Sequence, residues 1–226
     1  MPSPQNARAE RNGPGDKAAS AVIGKPVSKS KLPPLLAEID ACRLCAAHLP
    51  HTPRPVVQAG ATARLLIIGQ APGRRVHDTG IPWNDPSGDR LREWLGLAPE
   101  TFYDPAQVAI MPTAFCYPGK GKSGDLPPRS ECAPAWHPRL LAAMPKVQLT
   151  LLIGRYAQEA YLRENGKATL TETVAAYEEY LPRYFPLPHP SPRNRLWWKT
   201  NSWFEQDVLP VLRERVALAL AGKRIE

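Results

Sequence analysis

Four short runs of the chain are apolar almost without interruption: Arg64–Gly69, Gln107–Met111, Val147–Gly154 and Tyr184–Leu187. A sheet with one wet face would show alternation. Continuous runs of this length predict strands covered on both faces, as in a parallel sheet. Helical spacing fills the gaps, over Leu35–Cys42, Gly88–Gly96, Ser130–Met144 and Tyr156–Asn165. A last helix starts near Trp203, sets Phe204, Val208, Val211, Leu212 and Val216 on one face, and stops at Gly222. Pro210 either kinks it or marks a later start. Strands alternating with helices predict an α/β fold, a sandwich around a mostly parallel four-stranded sheet. Ligands in such folds bind beyond the carboxyl ends of the strands. The segments there are Gly69–Asp89, Pro112–Pro128, Gly154–Tyr156 and Pro188–Arg195, and they hold most of the unusual residues.

Composition changes this picture at the N-terminus. The 226 residues carry a net charge of +8, and 27 are proline, which predicts many stiff loops. Residues 1–33 hold six basic residues and two acidic ones, so half of the net charge lies there. That stretch is rich in Ser, Pro, Gly and Ala and cannot bury enough surface to fold, so it reads as a disordered basic tail. One domain is expected over residues 34–226. No apolar run approaches a membrane span and no apolar signal core opens the chain. The expectation is a non-secreted, cytoplasmic monomer, nucleoid-associated if bacterial. The remaining +4 permits a nucleic-acid partner without demanding one.

The cysteines are Cys42, Cys45, Cys116 and Cys132. The first two form a close pair, and Pro118, Gly119, Gly121 and Gly124 lie between the last two. Such a set can hold zinc or an iron–sulfur cluster, and spacing alone does not separate the two. Disulfides do not suit a non-secreted chain.

Two loops carry the candidate chemistry. The first strand breaks into Gly69-Gln70-Ala71-Pro72-Gly73, which is neither a Walker loop nor a dinucleotide fingerprint. Glycines there let backbone N–H groups approach a ligand closely. Trp83-Asn84-Asp85 follows, just before a Ser-Gly-Asp helix start, and suggests a flat ring stacked above polar groups. Core packing for Trp83 and a helix cap for Asp85 are the plainer alternatives. The second loop, His189-Pro190-Ser191-Pro192-Arg193-Asn194, is stiffened by prolines. Its histidine sits just past a strand, where it can donate to a developing negative charge.

In order and spacing, these pieces resemble the uracil-DNA glycosylase superfamily, most closely its iron–sulfur branch, from about Cys42 to Asn194. The resemblance implies a three-layer fold and hydrolysis of the N-glycosidic bond of uracil in DNA, with the base flipped into a pocket. It implies an abasic product and a [4Fe–4S] cluster on Cys42, Cys45, Cys116 and Cys132. It places the uracil against Gly69, Gln70, Ala71, Trp83, Asn84 and His189. Catalysis falls to Asp85, His189 and Gln70, and DNA contact to Ser191, Pro192, Arg193, Asn194, Arg195 and Lys199.

The departures from the family are specific. Its Glu after the first glycine is Gln70 here, and the carboxylate slot of its most familiar branch is Ala71. Asp85 is therefore the first candidate to position water, with His77 and Asp78 behind it. The base-reading Asn before the third cysteine is missing from Met111–Phe115, which leaves Asn84 or Asn194 to substitute. Arg193 stands where that most familiar branch inserts a leucine wedge. Two other readings compete: a DNA-binding module of this fold without catalysis, and a metal-cluster protein with no nucleic-acid role.

Overall fold

The computed structural model describes residues 32–225. The stretch read as a tail lies outside them, except that Leu32 and Pro33 open the first helix, α1 (Leu32–Asp40).

The central sheet has four parallel strands in the order β2-β1-β5-β6: β1 (Leu65–Ile68), β2 (Val108–Ile110), β5 (Leu149–Ile153) and β6 (Tyr184–Leu187). Every residue of β1, β2 and β5 is buried, which is why those runs read as continuously apolar. Successive side chains still serve opposite faces. Leu65 and Ile67 join a core with α3 (Pro86–Leu95) and α9 (Leu209–Leu220). Leu66 and Ile68 join another with α1, α5 (Cys132–Ala143) and α6 (Arg155–Leu162). The fold is therefore a three-layer α/β/α sandwich. Each fully buried Leu or Ile contributes roughly 1.5–3 kcal/mol.

The remaining elements are short: α2 (Arg74–Thr79), α4 (Pro99–Phe102), α7 (Leu170–Ala175), α8 (Arg195–Thr200) and a two-stranded hairpin of β3 (Lys120–Gly121) and β4 (Gly124–Asp125). A π-helical turn over Phe204–Val208 leads into α9, and Pro210 sits in its first turn as a late start. Connections leave β1 toward β2 and β5 toward β6, in opposite directions. Between them a crevice opens at the carboxyl ends of the strands.

Candidate active site

The loop after β1 is held as a platform. The carbonyl of Gly69 accepts the N–H of Thr113 at 2.9 Å, and that of Gln70 accepts the N–H of Ala114 at 3.0 Å and the Thr113 hydroxyl. The parallel ladder thus continues past the strand ends. The Gln70 side chain makes no hydrogen bond among the described residues.

Trp83 explains one of the loop's glycines. Its backbone is left-handed at φ 55, rare for a large residue. A Cβ on Gly69 would stand 3.0 Å from the indole, and a Cβ on Gly88 would meet the Trp83 carbonyl at 1.7 Å. The ring therefore lies directly on the end of β1, its centroid 5.7 Å from that of His189. Trp83 both lines the cleft and rests against the core.

Asp85 is indeed the N-cap of α3, with Oδ1 accepting the N–H of Gly88 at 2.9 Å. Its other oxygen turns toward the loop, 4.0 Å from where a Cβ on Gly73 would stand. His189 is partly buried, and burial lowers its pKa below the ordinary histidine value while the Asp85 carboxylate opposes the shift. Its imidazole is therefore neutral at pH 7, able to donate one N–H without carrying charge. The backbone carbonyl of His189 accepts the Asn194 amide at 2.8 Å, which fixes the loop.

These groups border a cleft of about 390 Å³. Gly69, Gln70, Ala71, Trp83, Asp85, His189, Ser191, Arg193 and Asn194 all line it. Asn84 does not. His77 and Asp78 also lie off its wall: Asp78 pairs with Arg74 at 2.9 Å, and His77 lies tilted against His51 and Tyr117, whose rings stack on each other. Arg193 leans over the cleft mouth, with Nη1 beside Gly124 of the hairpin. Ser191 caps this turn by accepting the N–H of Arg193 at 3.3 Å, and Pro192 begins it.

Arg195 and Lys199 lie next door. They line a second groove of about 480 Å³ with Arg90, Arg213 and Trp198, and Glu93 and Glu205 offset part of the charge. Arg90 sits over the Trp198 ring at 5.1 Å. Leu196, at 75% exposure, stands out from the same short helix.

The four cysteines come from three places: the turn after α1, the exit of β2 and the start of α5. All four line one small cavity. Burial pushes the Cys116 thiol up to about 11 and Cys132 up to about 12, and raises Cys45 as well. The Cys132 sulfur accepts the N–H of Phe115 at 3.3 Å. Arg129 Nε and Trp136 Nε1, on residues that line the same cavity, are buried donors without a partner. Buried unpaired donors are costly. Four sulfurs plus two such donors suit an occupant rich in sulfur acceptors. As the side chains stand, no group of three His, Cys, Asp or Glu among the described residues could itself hold a metal ion.

Sequence reasoning missed the hairpin and its Asp125, which also lines the cleft. The stretch falls within Pro112–Pro128, expected beyond a strand end, but neither the hairpin nor Asp125 stands out in it. It missed Arg90 and Arg213 too, since no local pattern ties α3 and α9 to α8.

A family model for the uracil DNA glycosylase superfamily matches residues 57–213. That span contains the whole sheet, both loops of the cleft and the second groove. With the α/β/α order and a cleft at the carboxyl ends of the strands, it leads to one statement: the chain belongs to the uracil DNA glycosylase superfamily.

Proposed function

We propose that this DNA glycosylase-type protein removes uracil from DNA by hydrolysis of the bond between base and sugar, leaving an abasic site. The observation that carries this reading is the meeting of Trp83, Asp85 and His189 at the end of β1. A flat aromatic floor accepts a flipped base. A carboxylate orients water, and a neutral N–H donor faces the leaving base, where negative charge grows.

Membership implies a DNA substrate, and the basic groove beside the cleft suits phosphates. Base reading falls to Gln70. The family's Asn is absent, Asn84 lies off the cleft, and Asn194 is held by one N–H donated to the His189 carbonyl. A free amide offers a donor and an acceptor side by side, which matches the N3–H and O4 of uracil.

In this reading the four thiols hold a four-iron, four-sulfur cluster with a structural role, tying the turn after α1, the exit of β2 and α5 together. Anaerobically purified protein is expected to be brown, with broad absorption near ~400 nm from thiolate-bound iron. Colourless protein with stoichiometric zinc contradicts the cluster.

Incubating a uracil-containing oligonucleotide with the protein and then with alkali tests the activity. A cut at the uracil position is expected. An intact strand that is nonetheless shifted on a native gel would make the protein a non-catalytic binder, the reading that Ala71 favours.

A further inference from the structure

Both aspartates of the cleft spend one oxygen on the fold. Asp85 Oδ1 accepts the N–H of Gly88 at 2.9 Å, and Asp125 Oδ1 accepts the Tyr117 hydroxyl at 3.3 Å. Their second oxygens border one small space. A Cβ built on Gly73 would stand 3.7 Å from Asp125 Oδ2 and 4.0 Å from Asp85 Oδ2. Neither carboxylate has a salt-bridge partner among the described residues. Gly73 itself has φ −79 and ψ 174, a conformation open to any residue. Its backbone conformation therefore does not require glycine, and the missing side chain keeps the space between the two carboxylates clear.

We propose that the space in front of Gly73 holds the attacking water and that Asp125 is a second catalytic carboxylate, orienting that water together with Asp85. The proposal rests on the hydrolytic reading above. Two acceptors direct both O–H bonds of one water and leave a lone pair for the sugar carbon. Because each carboxylate is anchored through its other oxygen, little reorganisation is needed at the moment of reaction. Two negative charges also stabilise the cationic character that the sugar gains as the base departs. The step balances without a further reactant. The water oxygen bonds to C1′ as the C1′–N bond breaks. The electron pair leaves with the base, the water's proton passes to a carboxylate, and the base is reprotonated from solvent. A merely electrostatic Asp125, repelling phosphate at the rim, would behave differently: its loss would tighten DNA binding and leave the chemical rate alone.

The test is single-turnover base release, with affinity for uracil-DNA measured separately, for G73A, D125N, D85N and the double variant D85N/D125N. Each is chosen to keep the fold. Alanine at position 73 meets only ordinary van der Waals contacts, and Asn is as good an N-cap as Asp. G73A and D125N should each lose at least about tenfold in rate, within the range for a lost acid–base group. Affinity should stay within about threefold, and G73A should melt close to the wild-type temperature. The double variant should lose less than the product of the single losses, because both carboxylates act on one water. Wild-type rates for G73A and D125N, beside an active wild type and a slow D85N, overturn the proposal and leave the hydrolytic reading standing. A wild type that releases no base overturns both.

Discussion

His189 shows how one side chain's environment sets its chemistry. Burial lowers its pKa, so the ring stays neutral to below the ordinary histidine range and donates as imidazole. The donor matters most when charge has moved onto the base. His189→Ala should therefore depress single-turnover cleavage by about 10²–10³-fold, the usual cost of one such donor. Affinity for uracil-DNA should barely change. A rate close to wild type in stopped or quenched single-turnover assays would reduce His189 to a loop residue. Its place on the cleft wall was legible in the sequence, because its loop follows a strand end. The plainer reading of Asp85 as a helix cap holds, since Oδ1 caps α3, while Oδ2 faces the cleft and is free for the proposed role. Asp125 was not legible. It reaches the cleft through the pairing of Lys120 and Gly121 with Gly124 and Asp125. Two-residue strands leave no periodic signal.

The same limit operates among the elements. The four sheet strands were readable because burial on both faces removes polar residues from them, and the long helices because each keeps an apolar stripe. Most boundaries lie within one to three residues of the expected ones, as where α3 starts at Pro86, behind its Asp85 cap, whereas α9 itself starts at Leu209, after the π-helical turn from Phe204. The missed helices α2, α7 and α8 have six residues each and α4 has four, too few for a repeat to show. α5 yields a prediction that was invisible in the sequence. Its His137 is buried, bonded to Tyr161 at 2.7 Å and to the Pro112 carbonyl at 3.0 Å, and burial pushes its pKa down to about 4. The unfolded chain takes up this proton near pH ~6.5, and the native state only near 4. Stability from the neutral ring is therefore complete above about pH 6.5 and is lost as pH falls toward 4, by up to roughly 3 kcal/mol. His77 and His189 shift in the same direction. Denaturant melts from pH 8 to 4 should show this slope, and His137→Phe should flatten it while lowering stability at every pH. An unchanged slope in the variant would assign the acid sensitivity elsewhere.

At the scale of the whole molecule, the cleft and the basic groove draw on adjacent stretches of chain: Arg195 of the groove directly follows Asn194 of the cleft. Charge at these positions should govern affinity more than rate. Lys199→Ala and Arg90→Ala should weaken binding to any DNA sequence and reduce the salt slope by roughly one each. Equal slopes for wild type and variants would remove the groove from the DNA path. Arg193 is different, because it leans across the cleft mouth onto the hairpin. If it fills the gap left by a flipped nucleotide, Arg193→Ala should lose more on duplex substrate than on single strands, since only the duplex has a stack to prop open. Equal losses would make it one phosphate contact among several. No helix among the described residues is long and apolar enough to cross a membrane.

The proposed hydrolysis of a base–sugar bond at the end of β1 leaves a direct record in its products. A duplex with a single uracil is turned over once by excess protein in water enriched in heavy oxygen, and both products are weighed by mass spectrometry. Free uracil without the label is expected, with an otherwise intact abasic strand carrying one heavy oxygen at C1′. An unaltered duplex, or a strand broken without release of free base, would contradict it.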